Sequence, residues 1–189
     1  MMVNSLKEYI VNQKTTGAIW PSSSSLAKAM ANQKTLSISR SVVELGPGSG
    51  AITKQILARK PQNCTFFALE INPTFVRKFK DNYPDTIIHL DSAANLQNYL
   101  KRHNLKHCDT IISSLPWTLL TREMQDKIFN AISASLSPKG KMFTYSYFHG
   151  LLFPSGRRFL KLLKQHFPHI QKKIVWRNLP PAIVYECKK

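Results

Sequence analysis

One short stretch restricts this chain more than any other: Val42-Val43-Glu44-Leu45-Gly46-Pro47-Gly48-Ser49-Gly50, followed at once by a helix-forming run over residues 51–59. A buried apolar strand must turn sharply into a helix here. Glycine permits the turn, because it accepts positive φ and has no side chain to keep a ligand away from the backbone. The loop amides and the helix amino terminus then face whatever binds, which favours a carboxylate or other negative group.

The rest of the chain repeats that unit. Strand-like runs at 41–45, 65–70, 86–90, 110–113 and 141–147 alternate with helical stretches at 51–59, behind Pro73, near 92–103 and near 119–135. Such alternation implies right-handed crossovers and a parallel sheet covered on both faces. The ending differs. Runs at 170–176 and 183–187 are joined by Asn178-Leu179-Pro180-Pro181, with no room for a helix, so they are expected to pair antiparallel. The expected fold is α/β: a seven-stranded, mostly parallel Rossmann-like sheet with helices on both faces and a C-terminal antiparallel hairpin. Residues 1–35 read as a helical lead-in and 36–189 as the catalytic domain. In the lead-in, Val3, Leu6 and Ile10 make a weak amphipathic helix, 16–21 a loop, and Ser23 or Ser24 caps a short helix ending near Ala31.

Three carboxylates stand at successive strand ends. Glu44 precedes the first loop glycine, where it can meet a cationic group; Glu70 is placed to accept both hydroxyls of a ribose, and Asp91-Ser92-Ala93 suits an adenine amino group. Glu44-Leu45-Gly46-Pro47-Gly48-Ser49-Gly50 with this ladder resembles the cofactor motifs of class I S-adenosylmethionine-dependent methyltransferases. The resemblance spans about residues 41–187. It implies that Glu44, Gly46, Pro47, Gly48 and Gly50 hold the methionine part, Glu70 and Ile71 the ribose, and Asp91, Ser92 and Ala93 the adenine, with Ser114 and Leu115 completing the site.

The fourth strand ends Ser113-Ser114-Leu115-Pro116-Trp117, close to the loop of enzymes that methylate planar nitrogens but without its amide side chain. That loop, the run Thr15–Ser23 (Thr-Thr-Gly-Ala-Ile-Trp-Pro-Ser-Ser) and Val175-Trp176-Arg177-Asn178-Leu179-Pro180-Pro181-Ala182 together resemble the bacterial phospholipid N-methyltransferase family, whose members convert phosphatidylethanolamine towards phosphatidylcholine. The resemblance covers nearly the whole chain and places Thr16, Gly17 and Ile19 over the cofactor as part of a lid. An ethanolamine amine has a pKa of roughly 10 and arrives protonated, so a group must position it or relay its proton. The methylated product is cationic, which aromatic faces stabilise. The candidate catalytic residues are Tyr145, Trp117 and Ser114. Trp20, Trp117, Tyr145 and Tyr147 are expected to wall the amine pocket, with His149 as a proton relay and Arg177 as a phosphate ligand.

Composition bears on the partner. The formal net charge is +17, and residues 101–189 carry 16 Lys and Arg against 4 Asp and Glu, whereas 36–100 carry 7 against 5. A polyanion is the expected partner. An anionic membrane surface bearing the phospholipid comes first and nucleic acid second, the alternative activity being RNA adenine N-methylation. The stripe Phe159, Leu162, Leu163, Phe167 packs on the sheet and leaves a cationic helix face for headgroups. Three scattered cysteines suit a reducing cytoplasm, and His103 and His107 have helical spacing but no third ligand, so no metal is expected. The expectation is a monomer, peripheral on the inner face of the membrane.

Overall fold

The computed structural model describes residues 23–189. Its strands are β1 (Ser41–Leu45), β2 (Thr65–Glu70), β3 (Ile88–Leu90), β4 (Cys108–Ser113), β5 (Leu136–Tyr147), β6 (His169–Val175) and β7 (Ala182–Lys188). They form one sheet in the order β3-β2-β1-β4-β5-β7-β6. β1 to β5 are parallel, while β7 runs antiparallel to both β5 and β6. The expected seven strands and terminal hairpin are all present.

Helices cover both faces. On one, Val43, Phe67, Ile111, Met142 and Tyr185 meet α5 (Leu96–Arg102), α6 (Arg122–Ser135) and α7 (Pro154–His166). The stripe Phe159, Leu162, Leu163 and Phe167 is buried there. On the other face, Val42, Phe66, Ile112, Phe143 and Val184 meet α1 (Ser24–Met30), α2 (Gln33–Leu36) and α3 (Thr53–Leu57). Beside them α4 (Pro73–Asn82) sets Val76 and Phe79 on Ala68 and Ile88. Alternation along each strand divides the two sets, as period-two side chains must.

Local chemistry fixes the element ends. Ser23 caps α1, its Oγ accepting the Leu26 amide at 3.1 Å. Asn72 caps α4 ahead of Pro73, the first helical residue, whose missing N–H would have had no partner. Residues 24–35, which the sequence groups with the lead-in, pack into the core: Leu26 and Met30 have no exposed surface, and neither has Leu36 just beyond them. Each such burial stabilises the fold by about 1.5–3 kcal/mol. β5 begins earlier than expected, because Leu136 pairs with Cys108 before a register shift and the ladder resumes at Lys141 opposite Thr110. No helix among the described residues is long and apolar enough to cross a membrane.

Candidate active site

The glycine loop lies at the carboxyl edge of the sheet, between the ends of β1, β2 and β4. The Gly46 amide donates to the Leu69 carbonyl at 2.8 Å and the Ser114 amide to the Leu45 carbonyl at 2.9 Å. Gly48 and Gly50 have φ of +58° and +93°. Their surroundings differ. Among the described residues, a Cβ on Gly48 would meet nothing within 4 Å, which leaves room for a ligand against its backbone; one on Gly50 would lie 2.2 Å from Tyr83 Cε2. The Tyr83 hydroxyl donates to the Gly50 carbonyl at 2.9 Å and closes that side of the loop.

The three acids are held in three different ways. Glu44 is fully buried, with Oε2 accepting from Thr53 Oγ1 at 2.6 Å. Burial raises its pKa from 4.5 to about 8; the Thr53 hydroxyl pulls it down, and the nearby Glu70 pushes it up. Glu70 accepts the Ile71 and Asn72 amides on Oε1, both at 2.9 Å, and the Gly48 amide on Oε2 at 3.2 Å. Burial still raises its pKa against the pull of those amides. Asp91 accepts the Ser92 amide at 2.6 Å and Asn95 Nδ2 and the Tyr99 hydroxyl, both at 2.9 Å. Partial burial acts to raise the Asp91 pKa, but these bonds outweigh it and hold the carboxyl below its ordinary value. Ser92 caps the 3₁₀ turn Ala93–Asn95, and Ala93 is buried beneath.

Three buried polar atoms along this edge, Glu44 Oε1, Ser113 Oγ and Ser114 Oγ, have no hydrogen-bond partner among the described residues. Glu44 is in β1 and Ser114 follows the end of the adjacent β4, whose Ser113 pairs with Leu45 and so points to the opposite face from Glu44. Leaving such atoms unmatched costs about 1–3 kcal/mol each, a cost that a ligand with an ammonium group would remove at Glu44 and one with a further donor at Ser114. The donor set, the open Gly48 backbone and the acids at three strand ends fit S-adenosylmethionine.

The expected substrate residues separate. Thr144 pairs with Ser113, so Tyr145 stands one register step beyond, next to Ser114. Tyr145, Tyr147 and His149 form a row, with ring centroids 5.5 Å and 5.7 Å apart in succession. Arg177 lies exposed in the β6–β7 turn, at the same edge. Trp117 is a correction. It is 1% exposed, its Nε1 donates to Thr144 Oγ1 at 2.7 Å, and it packs on Phe129 and Phe159. That is the opposite face of the sheet from Tyr145, so Trp117 is core and walls no amine pocket. Thr16, Gly17, Ile19 and Trp20 lie outside the described residues. His103 faces His89 rather than His107, with the Nε2 atoms 3.0 Å apart. Thr53, Tyr83 and Tyr99 were not expected in the site; each is set there by a hydrogen bond to a residue outside its own helix, Glu44, Gly50 and Asp91 respectively, and no local motif marks them.

The strand order, the glycine loop and the acids at the strand ends define the class I S-adenosylmethionine-dependent methyltransferase fold, and this chain has it. Among curated proteins the chain is similar to an ornithine lipid N-methyltransferase from Singulisphaera acidiphila, 26% identical over 187 residues, covering 97% of this chain and 93% of that one. Among solved structures it resembles an O-methyltransferase from Bacillus cereus in complex with S-adenosylhomocysteine, with a TM-score of 0.72 and 12% identity over 98% of this chain and 91% of that one. It also resembles the N-methyltransferase NodS from Bradyrhizobium japonicum, with a TM-score of 0.65 and 8% identity over 88% and 93% of the two chains. No family model matches the chain.

Proposed function

We propose that this protein transfers the methyl group of S-adenosylmethionine to the amine of a membrane-lipid headgroup. The observation that carries the reading is the likeness, along 97% of the chain, to a protein named for N-methylating a lipid. The site supplies matching chemistry. When bound, the cofactor provides an electrophilic methyl on a sulfonium. Glu44, ionised, balances an ammonium group buried beside it; Glu70 accepts hydroxyls; Asp91 and Ser92 border the adenine. Tyr145, beside Ser114, orients the incoming amine, and the Tyr147 ring faces the growing positive charge, an attraction of about 0.5–2 kcal/mol. His149 passes the amine proton outward.

Phosphatidylethanolamine is the headgroup we assign, with Arg177 at its phosphate. Ornithine lipid is the second reading, favoured by the relative's name. The test is radiolabelled methyl transfer into vesicles containing one or the other lipid, with products resolved by thin-layer chromatography. Label in methylated phosphatidylethanolamine is the expected result. Label only in ornithine lipid replaces the headgroup and keeps the reaction, and label in neither lipid but in RNA overturns the reading.

A further inference from the structure

Among the described residues ten large apolar side chains are exposed, and six of them crowd the carboxyl edge of the sheet: Leu119, Phe148, Leu152, Phe153, Trp176 and Leu179. They come from three loops, after β4, after β5 and after β6. Chain topology brings these loops together, because β4, β5 and β6 all point the same way. Proteins rarely leave large contiguous apolar patches in water unless the patch meets a partner.

The patch is built rather than loose. Phe148 and Trp176 stack across two loops, with centroids 6.0 Å apart and planes 19° from parallel. Ser155 Oγ donates to the Thr118 carbonyl at 2.7 Å, and a Cβ on Gly150 would come within 2.9 Å of Thr118 Cγ2, so the first two loops are tightly joined. Trp176 is nonetheless 71% exposed. Around these side chains stand the exposed Arg122, Arg157 and Arg177. The three ion pairs among the described residues use other cations, Lys127, Lys141 and Arg158.

We propose that this edge is a membrane-docking face, on which Phe148, Leu152, Phe153, Trp176 and Leu179 enter the interface of an anionic bilayer while the arginines meet its headgroups. An apolar, aromatic centre with a cationic rim matches that interface on both counts, since aromatic rings settle at headgroup depth and basic side chains are drawn to anionic lipid. Continuity with the site points the same way: Phe148 follows Tyr147 directly, so a lipid amine reaches the aromatic row without its acyl chains leaving the bilayer. The choice of a bilayer as occupant rests on the lipid reading above.

The test uses the whole chain with vesicles of phosphatidylcholine containing phosphatidylglycerol, the acyl chains brominated to quench nearby tryptophan. Binding should follow the phosphatidylglycerol content and fall with salt. The Trp176→Phe variant should bind as tightly yet lose most of the quenching, since Trp117 is buried. Undiminished quenching in that variant overturns the proposal, because insertion then occurs through Trp20 instead. Leu152→Glu with Phe153→Glu should weaken vesicle binding on the order of tenfold or more, with S-adenosylhomocysteine affinity and melting temperature unchanged. Wild-type vesicle binding in a folded double variant also overturns it. A chain that docks through this face but methylates no lipid supports the face and rejects the activity proposed above.

Discussion

Glu44→Gln should make the protein less stable in acid and more stable in base. A carboxyl whose folded pKa, about 8, lies above its unfolded value of 4.5 keeps a proton in the folded state that the unfolded chain gives up. The stability this group supplies is therefore full below 4.5 and is lost as pH rises through 8. At about 1.4 kcal/mol per pH the loss reaches about 4 kcal/mol by pH 8, while at pH 5 it is below about 1 kcal/mol. Glutamine is neutral and suffers none of it. Its carbonyl still accepts from Thr53 Oγ1, but its amide places donors where Oε1 already has no partner, at a cost of about 1–3 kcal/mol. The variant should thus be about 1 kcal/mol less stable at pH 5 and about 1–3 kcal/mol more stable at pH 8. Urea unfolding of both proteins across this range checks it. Parallel stability curves, with no crossing, would refute the claim that Glu44 is folded as a neutral acid in the free enzyme.

Gly50→Ala should cost about 1–2 kcal/mol for its positive φ alone and more for the clash with Tyr83. Adding Tyr83→Ala should relieve the second part in thermal melts, and a simple sum of the two single effects would count against that clash. Glu70→Ala should weaken S-adenosylhomocysteine binding by about 1.5–3 kcal/mol for each ribose hydroxyl left without its acceptor, measured by calorimetry; unchanged affinity would remove Glu70 from the site. Tyr145→Phe should lower kcat on vesicle lipid by roughly 10²-fold and leave S-adenosylhomocysteine affinity alone. A loss confined to cofactor binding would show that Tyr145 does not serve the amine.

The parallel part of the sheet was legible because β1 to β5 each contain a short, largely apolar run and the intervals between them are of helix length. The 170–187 segment lacks that interval and could only be a hairpin. The glycine loop and its three acids were legible for the same reason, since each stands at a recognisable strand end. Trp117 was not. Beyond Ser113 the alternation that assigns faces has ended, and nothing in Ser-Leu-Pro-Trp says that the indole turns back under the sheet to reach Thr144. The grip of Tyr99 on Asp91 and the closing of Tyr83 on Gly50 are hidden for a different reason. They join residues whose positions depend on how α5 and α4 settle on the sheet, and that packing has no local signature. The early start of β5 is masked by Ser137-Pro138-Lys139-Gly140, which has the composition of a turn yet interrupts a ladder already begun at Leu136.

The buried Asn178 in the β6–β7 turn accepts the Ser23 amide at 3.1 Å and donates to the Pro180 carbonyl at 2.7 Å. This joint pins the beginning of α1 to the carboxyl edge, whereas β7 leaves the sheet at the other edge, where the Lys189 amide reaches the Gly140 carbonyl. The consequence is practical. A solubility partner, dye or surface tether attached behind Lys189 hangs away from the glycine loop and the aromatic row. The same attachment spliced in just ahead of Ser23 hangs beside Trp176 and Leu179. Fusions at the two positions should therefore behave differently on a supported bilayer, the first leaving the carboxyl edge of the sheet free to approach and the second standing in its way.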